Sequence, residues 1–255
     1  MSSSEKIINH FILSLKNHFP SDIKFQYKNP ILELKSTKIN FSVLFYKEFL
    51  FSASSTLSCT VKIRLAIDQL MNKERQILSI LKSQLLLNKK VFARNCAIKK
   101  INAPEAKQFL NQYHLMGYAA SAYHLGLFLK DELIGMVSFS KGRKMNRLKA
   151  DQRSFELVRF CCKEGITVTG GLSKLIAYFV QEKKPGDIMT YIDKQFGEGK
   201  SYITCGFKKH SDTAPQQFLI NKKTFERTYF KSEAFDKTNF YITENYGNIK
   251  LVYTP

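Results

Sequence analysis

Tryptophan is absent from the 255 residues, and no glycine occurs before position 117. A glycine-free stretch that long offers few places where backbone can approach a ligand closely. Acid is scarce: 21 Asp+Glu stand against 40 Lys+Arg, a formal net charge of +19. No apolar run approaches the roughly 20 residues that span a bilayer. The start, Met1-Ser-Ser-Ser-Glu-Lys, lacks the basic, apolar and small-residue order of a secretory signal. Five cysteines (Cys59, Cys96, Cys161, Cys162, Cys205) make an odd set with no CxxC pair. Neither they nor the five histidines fall at zinc-ligand spacing, so a zinc site is disfavoured and the need for any other metal stays open. Reduced thiols and a cytoplasmic location, away from membrane, are the expectation.

What is present is a core. The chain is 44% hydrophobic and 13% aromatic, too apolar for a disordered basic tail. The excess charge therefore belongs on the surface of a folded protein, where it attracts polyanions: nucleic acid first, acidic membrane or an anionic cofactor second.

The texture changes near Lys89 to Phe92, which divides the chain into residues 1–92 and 93–255. In the first part, Ile7, Ile8, Phe11, Ile12 and Leu15 lie at helical spacing and Pro20 ends the run. Strand-like segments follow at Ile31 to Leu34 and Ile39 to Phe45, then a leucine-rich helical stretch between Asn72 and Asn88. In the second part, Leu125 to Leu129 and Leu133 to Ser140 read as a hairpin, and Phe155 to Cys162 as a further strand. Gly170-Gly171 opens a helix that Pro185-Gly186 closes before the strand DIMTYID. Strand, glycine turn, helix, strand implies a partly parallel sheet and an α/β (α+β) fold.

The sharpest local feature is Thr167-Val-Thr-Gly-Gly-Leu-Ser-Lys-Leu175. Glycines before a helix let backbone N–H groups point outward, where the helix dipole favours an anion. Thr169, Gly170, Gly171, Ser173 and Lys174 form a pyrophosphate-sized cradle or, more plainly, a tight turn beside a solvated lysine. The Walker spacing is missing, so nucleotide hydrolysis is not indicated.

The order of elements, with the ending Tyr202-Ile-Thr-Cys-Gly-Phe207, resembles the GNAT-type acyltransferase core. That resemblance implies a mixed sheet with flanking helices and a coenzyme A pyrophosphate on the glycine turn. The segments ARNCAIKKI, FLNQYHLMG, HLGLFLKDELIGMVSF, FELVRFC, VTGGLSKL and TYIDKQFGEGKSYITCGF together resemble the C-terminal GNAT-like domain of phage Hef-like homing endonucleases. They are also similar in layout to the Mom proteins, acyltransferase-fold enzymes that alter adenine in DNA. The resemblance covers about Ala93 to Phe230. It implies acetyl-CoA or another acyl-CoA as cofactor, DNA as partner, and phage or mobile-element ancestry. It also makes residues 1–92 a degenerate nuclease-like region. There Asp22 and Glu33-Leu34-Lys35 superficially match a Mg²⁺ nuclease pattern, while a second alignment puts Ser42 where the metal-binding carboxylate belongs.

Four polar residues stand out in the second part. His114 could be a general base, a metal ligand or a packed cap. Arg159, in a core-like strand, needs an anionic partner: Asp193, Glu156, a phosphate or a substrate carboxylate. Asp193 closes a strand at the carboxyl edge of the sheet, as a site residue or as the cap of the next turn. Tyr202 could protonate a departing thiolate or simply pack. Cys161, Cys162 and Cys205 read as small buried hydrophobes rather than nucleophiles. Lys141, Arg143, Lys144, Arg147 and Lys149, with Lys208, Lys209 and His210, form basic clusters for a phosphate backbone or solvated loops. The tail aromatics Phe225, Tyr229, Phe230, Phe235, Phe240, Tyr241 and Tyr246 could stack on an extruded base or pack the sheet. The leading reading is a DNA-acting acyl-CoA transferase. The alternatives are a DNA-binding module without catalysis and a nuclease working through residues 1–92.

Overall fold

The computed structural model describes residues 3–28, 31–35, 40–46, 63–230 and 234–255. By internal contacts the chain forms two compact units. The first comprises Met1–Leu78, Asp193–Glu198 and Thr213–Asn248, and the second Ser79–Ile192, Gly199–Asp212 and Ile249–Pro255.

In the first unit, helix α1 (Ser3–His18) precedes strands β1 (Lys24–Lys28), β2 (Ile31–Lys35), β3 (Asn40–Tyr46) and β4 (Ile63–Ala66). The expected apolar stripe of α1 is the buried one: Ile8, Phe11, Ile12 and Leu15. The sheet runs β1-β2-β3-β4, antiparallel up to β3 and parallel between β3 and β4. Helix α2 (Ile67–Asn72) follows, and then α3 (Glu74–Gln84). The leucine-rich stretch between Asn72 and Asn88 thus holds the whole of α3, with Lys73 separating it from α2.

The later segments of this unit are tied to the early ones by polar bonds. The Arg64 N–H donates to Gln195 O at 3.0 Å, and Gln195 Nε2 donates to Arg64 O at 3.0 Å and to Gln69 Oε1 at 3.2 Å. Arg227 forks onto Asp68 through Nε and Nη2 at 2.8 and 2.9 Å. Pairings of this kind are invisible to local pattern, which is why residues 213–248 read as a tail of the second part.

The second unit begins with β5 (Lys89–Phe92), β6 (Ala97–Lys100), α4 (Ala103–Tyr113), β7 (Tyr123–Leu129), β8 (Glu132–Phe139), β9 (Ser154–Cys162), β10 (Ile166–Thr169) and α5 (Gly171–Lys183). It continues with β11 (Asp187–Asp193), α6 (Lys200–Thr204) and β12 (Lys208–Asp212). Strands β13 (Gln217–Asn221), β14 (Arg227–Tyr229) and β15 (Phe240–Glu244) form a separate three-stranded sheet of the first unit, and β16 (Asn248–Tyr253) ends the chain. The main sheet is mixed, seven strands in the order β12-β16-β11-β9-β8-β7-β6. This is the expected α/β layout: a mixed sheet with a helix on each face.

On one face, Leu172, Leu175, Ile176 and Phe179 of α5 pack on Leu125, Leu127, Val137, Phe139, Phe155 and Leu157. Phe179 stacks on Phe139 with ring centroids 3.7 Å apart. Each such fully buried side chain contributes about 2 kcal/mol. On the other face, Ala106, Phe109 and Leu110 of α4 meet Phe128 and Met136. Strand β11 pairs parallel with β9 over three residues only, Asp187 to Met189 against Ser154 to Glu156. Thr190 Oγ1 then donates to Leu157 O at 2.9 Å, and no further rung follows. The carboxyl halves of two parallel strands, where α/β proteins place their ligands, are therefore not bridged to each other. No described helix is long and apolar enough to cross a membrane.

Candidate functional site

The glycine turn is built as its sequence requires. β10 pairs parallel with β5 and ends at Thr169, which is exposed. Gly170 then takes a left-handed φ of 76° as the N-cap of α5, a conformation that L side chains rarely adopt. The first-turn N–H groups of α5 have no intrahelical acceptor and carry the positive end of a 13-residue dipole. Ser173 is exposed in that turn, its Oγ 3.0 Å from Cys205 Sγ just past α6. Gly171 is buried, and a Cβ there would stand 2.9 Å from Leu127 Cδ1 and 3.0 Å from Val168. Gly171→Ala should therefore destabilise the chain by about 1–3 kcal/mol through overpacking, read as a lowered denaturation midpoint.

Lys174 corrects the sequence reading of this turn. Its Nζ donates to Ala93 O at 2.9 Å and Cys96 O at 2.5 Å, so its side chain pins the β5–β6 connection and does not reach toward the turn's open side. The cradle consists of backbone N–H groups and Ser173.

His114 caps the C-terminus of α4, its N–H donating to Leu110 O at 2.9 Å. Its Nδ1 accepts from the Met116 N–H at 3.1 Å, which leaves the ring proton on Nε2. Burial first, and then the Arg159 guanidinium, holds the ring at a pKa of about 3. At neutral pH the ring is uncharged and offers Nε2–H as a donor, and of the roles weighed from sequence its backbone bonds show the cap. The depressed value also has a stability signature. The unfolded chain protonates near 6.5 and the folded chain near 3, so the contribution is complete above 6.5 and is lost as pH falls through that window. His114→Asn, whose Oδ1 can replace the Nδ1 acceptor, should lose less stability than the parent between about pH 7 and about pH 5, read by denaturant midpoints.

Arg159 donates from Nε to Gly117 O at 3.2 Å and from Nη1 to Val158 O at 2.9 Å, so backbone carbonyls fix its guanidinium beside His114. Glu156, one of its expected partners, stands 3.8 Å from Arg143 instead. Tyr202 is pushed well above the ordinary phenol range by burial and by the Cys205 and Cys161 thiols, so it keeps its proton and remains a donor. Burial likewise raises Cys161 and Cys162 and keeps them as thiols.

Asp193 belongs by its contacts to the first unit, whereas His114, Arg159 and Tyr202 belong to the second. Its Oδ1 accepts from the Gln195 N–H at 2.9 Å, the turn-capping role weighed from sequence. Burial raises its pKa, opposed by that N–H and by Arg227.

The basic residues divide by environment. Arg147 donates from Nε and Nη2 to one oxygen of the buried Asp187 at 3.0 and 2.5 Å, while its side chain stays 42% exposed. Arg143 bridges to Ser154 and Lys209 pairs with Asp212 at 2.7 Å. Lys141, Lys144, Lys149 and Lys208 are exposed. Most of the described tail aromatics serve packing: Tyr241 is buried, Phe230 meets Phe235, and Tyr246 lies under the Arg64 guanidinium at 4.7 Å. Tyr229, 62% exposed, leans on Phe218.

The nuclease pattern does not assemble. Glu33 faces Gln26 on one side and Ser42 on the other, while Asp22 lies in the turn two residues beyond the Lys24–Lys35 rung. Lys35 is engaged by Glu33 itself at 2.6 Å.

Two residues that the sequence reading passed over sit beside Arg159. His124 on β7 faces Ser138 on β8, and Ser138 faces Arg159 on β9. The available signal was a polar residue inside each of two otherwise apolar strands, YHLGLFL and ELIGMVSF.

A hairpin, a third strand, a glycine turn capping a helix, and a parallel strand whose ladder lapses after three rungs define an α/β unit with a mixed sheet and a helix N-terminus open to an anion. Residues 95–252 match the model of the Mom protein family. The chain belongs to the Mom protein family. No curated protein matches it significantly. Similar solved structures include a GNAT family acetyltransferase from Elizabethkingia anophelis with acetyl-CoA bound (14% identity, TM-score 0.39, 63% of this chain and 99% of that one). They also include a Bacillus subtilis acetyltransferase in complex with CoA (14%, 0.38, 63% and 99%). A third is the ribosomal-protein-S5-alanine acetyltransferase of Vibrio fischeri (11%, 0.39, 63% and 93%). These likenesses are distant.

Proposed function

We propose that this Mom-family chain is an acyl-CoA-dependent transferase of phage or mobile-element origin that modifies a base in DNA. The observation that carries the reading is the Gly170–Gly171 turn. It presents the free N–H groups of a long helix and the Ser173 hydroxyl at the end of a parallel strand. These groups would hold the pyrophosphate of acyl-CoA. The thioester would extend toward the unbridged ends of β9 and β11, where Tyr202 keeps a proton for the departing thiolate. His114 and Arg159 would donate hydrogen bonds to the oxyanion that forms as an amine attacks the carbonyl; the C–S bond then breaks, the thiolate takes the Tyr202 proton, and the proton lost by the amine returns to the Tyr202 oxygen. Asp193 would order the turn after β11. In this reading residues 93–255 carry the transferase segments and residues 1–92 are a repurposed nuclease-like region.

Isothermal titration with acetyl-CoA tests it, and saturable binding is the expected result. The exposed Lys141, Lys144, Lys149 and Lys208 and the net charge of +19 favour one second reading, a DNA-binding module without catalysis. That reading predicts salt-steep DNA binding with no heat from acetyl-CoA.

A further inference from the structure

The row His124–Ser138–Arg159 crosses three neighbouring strands, and every member is polar. The row beside it is Gly126–Met136–Cys161, and Met136 and Cys161 pack with α4. Side chains two residues apart on a strand share a face, so the polar row lies on the α4 side too. There it adjoins Gly117, whose carbonyl holds Arg159, and Tyr118, whose ring centroid is 6.1 Å from that of His124. His124 is 7% exposed and Ser138 is fully buried, yet His124 Nδ1 and Ser138 Oγ have no hydrogen-bond partner among the described residues. Buried polar atoms are nearly always bonded, and leaving two neighbours unbonded is costly. One step further along the strands a hollow of about 550 Å³ begins, lined by Ala120, Ser121, Ala122, Ser140, Lys141, Gly142 and Arg143.

We propose that His124, Ser138, Arg159 and His114 form a binding site for a small carboxylate, entered through the hollow beside Ala122 and Ser140. Each of the four can donate a hydrogen bond. Arg159 supplies the charge and a planar fork, already oriented by the Gly117 and Val158 carbonyls. Ser138 supplies a hydroxyl, and His124 an N–H when its proton sits on Nδ1. His114 supplies Nε2–H, because Met116 occupies its Nδ1. A cationic ligand is disfavoured by the guanidinium. The Arg fork matches carboxylate and phosphate alike, and the close burial of Ser138 and His124 favours the smaller, planar carboxylate. Small side chains at 120–122 and 142 leave room at the entrance, and Lys141 and Arg143 give it the sign that draws an anion. The site shares His114 and Arg159 with the oxyanion pocket of the proposed transferase but lies away from the glycine turn, so carboxylate binding is read without acyl-CoA and can fail or hold independently of that reading.

The test is a titration of the full chain with formate and acetate, followed by the NMR signals of the histidine rings, with inorganic phosphate at matched ionic strength as comparison. The proposal predicts saturable shifts of the His124 and His114 signals with the carboxylates and none with phosphate. Binding should weaken at least tenfold in Ser138→Ala and in Arg159→Lys. Ser138→Ala removes an unbonded buried oxygen, so its thermal midpoint should stay level or rise, which separates lost binding from lost folding. Absence of carboxylate shifts would overturn the proposal. So would equal shifts with phosphate, or a Ser138→Ala chain that binds carboxylate as the parent does.

Discussion

Ser173→Glu is expected to weaken acyl-CoA binding on the order of a hundredfold while leaving the thermal midpoint level or slightly higher. The side chain is exposed in the first turn of α5, so the longer residue meets no packed neighbour other than the loose contact with Cys205. A carboxylate at a helix N-terminus is favourable by about 0.3–1 kcal/mol. Against a pyrophosphate held on the same N–H groups it is a like charge at a few ångströms, a repulsion of about 2–3 kcal/mol at an effective dielectric near 20. Stability and binding therefore move in opposite directions, which a folding defect cannot imitate. Gly171→Glu would not separate them, because Leu127 and Val168 already crowd the Cβ position. Calorimetric titration beside thermal denaturation reads both quantities. Undiminished binding in the variant would remove the glycine turn as the pyrophosphate site.

The second large effect lies in the first unit. Arg227→Met should destabilise that unit by about 3–5 kcal/mol, because it leaves the Asp68 carboxylate buried without its charged partner. The fork is bidentate, Asp68 is 3% exposed, and Arg227 also lies over the Phe218 ring at 4.8 Å. Replacing both members, Asp68→Leu with Arg227→Met, should recover most of the loss, since hydrophobic replacement of a buried pair is often neutral. Urea denaturation of the single and double variants checks it. A single-variant loss below about 1 kcal/mol would mean that the pair is solvated.

The sequence was informative where chemistry is local. The stripe Ile8, Phe11, Ile12 and Leu15 announced α1, and Gly170 announced a left-handed cap because little else fits there. The segment DIMTYID is a strand from its first residue to its last. What escaped was set by pairing across long stretches of chain. Lys174 reads as a phosphate ligand until the carbonyls of Ala93 and Cys96, about 80 residues earlier, are seen to hold it. Arg147 is the exposed loop cation that the sequence suggests, and its partner Asp187, 40 positions away, is visible only in the fold. Residues 213–248 read as a tail until Arg227 meets Asp68, 159 positions away. His124 and Ser138 are unremarkable singly and become a site only when strand register aligns them with Arg159.

The central claim is transfer from acyl-CoA to a base of DNA. It is tested most directly by incubating the full chain with isotope-labelled acetyl-CoA and duplex DNA, digesting to nucleosides, and analysing them by mass spectrometry. The account predicts label on one nucleoside, lost in Ser173→Glu. Nucleosides without label, from a chain shown to bind both acetyl-CoA and DNA, would contradict it.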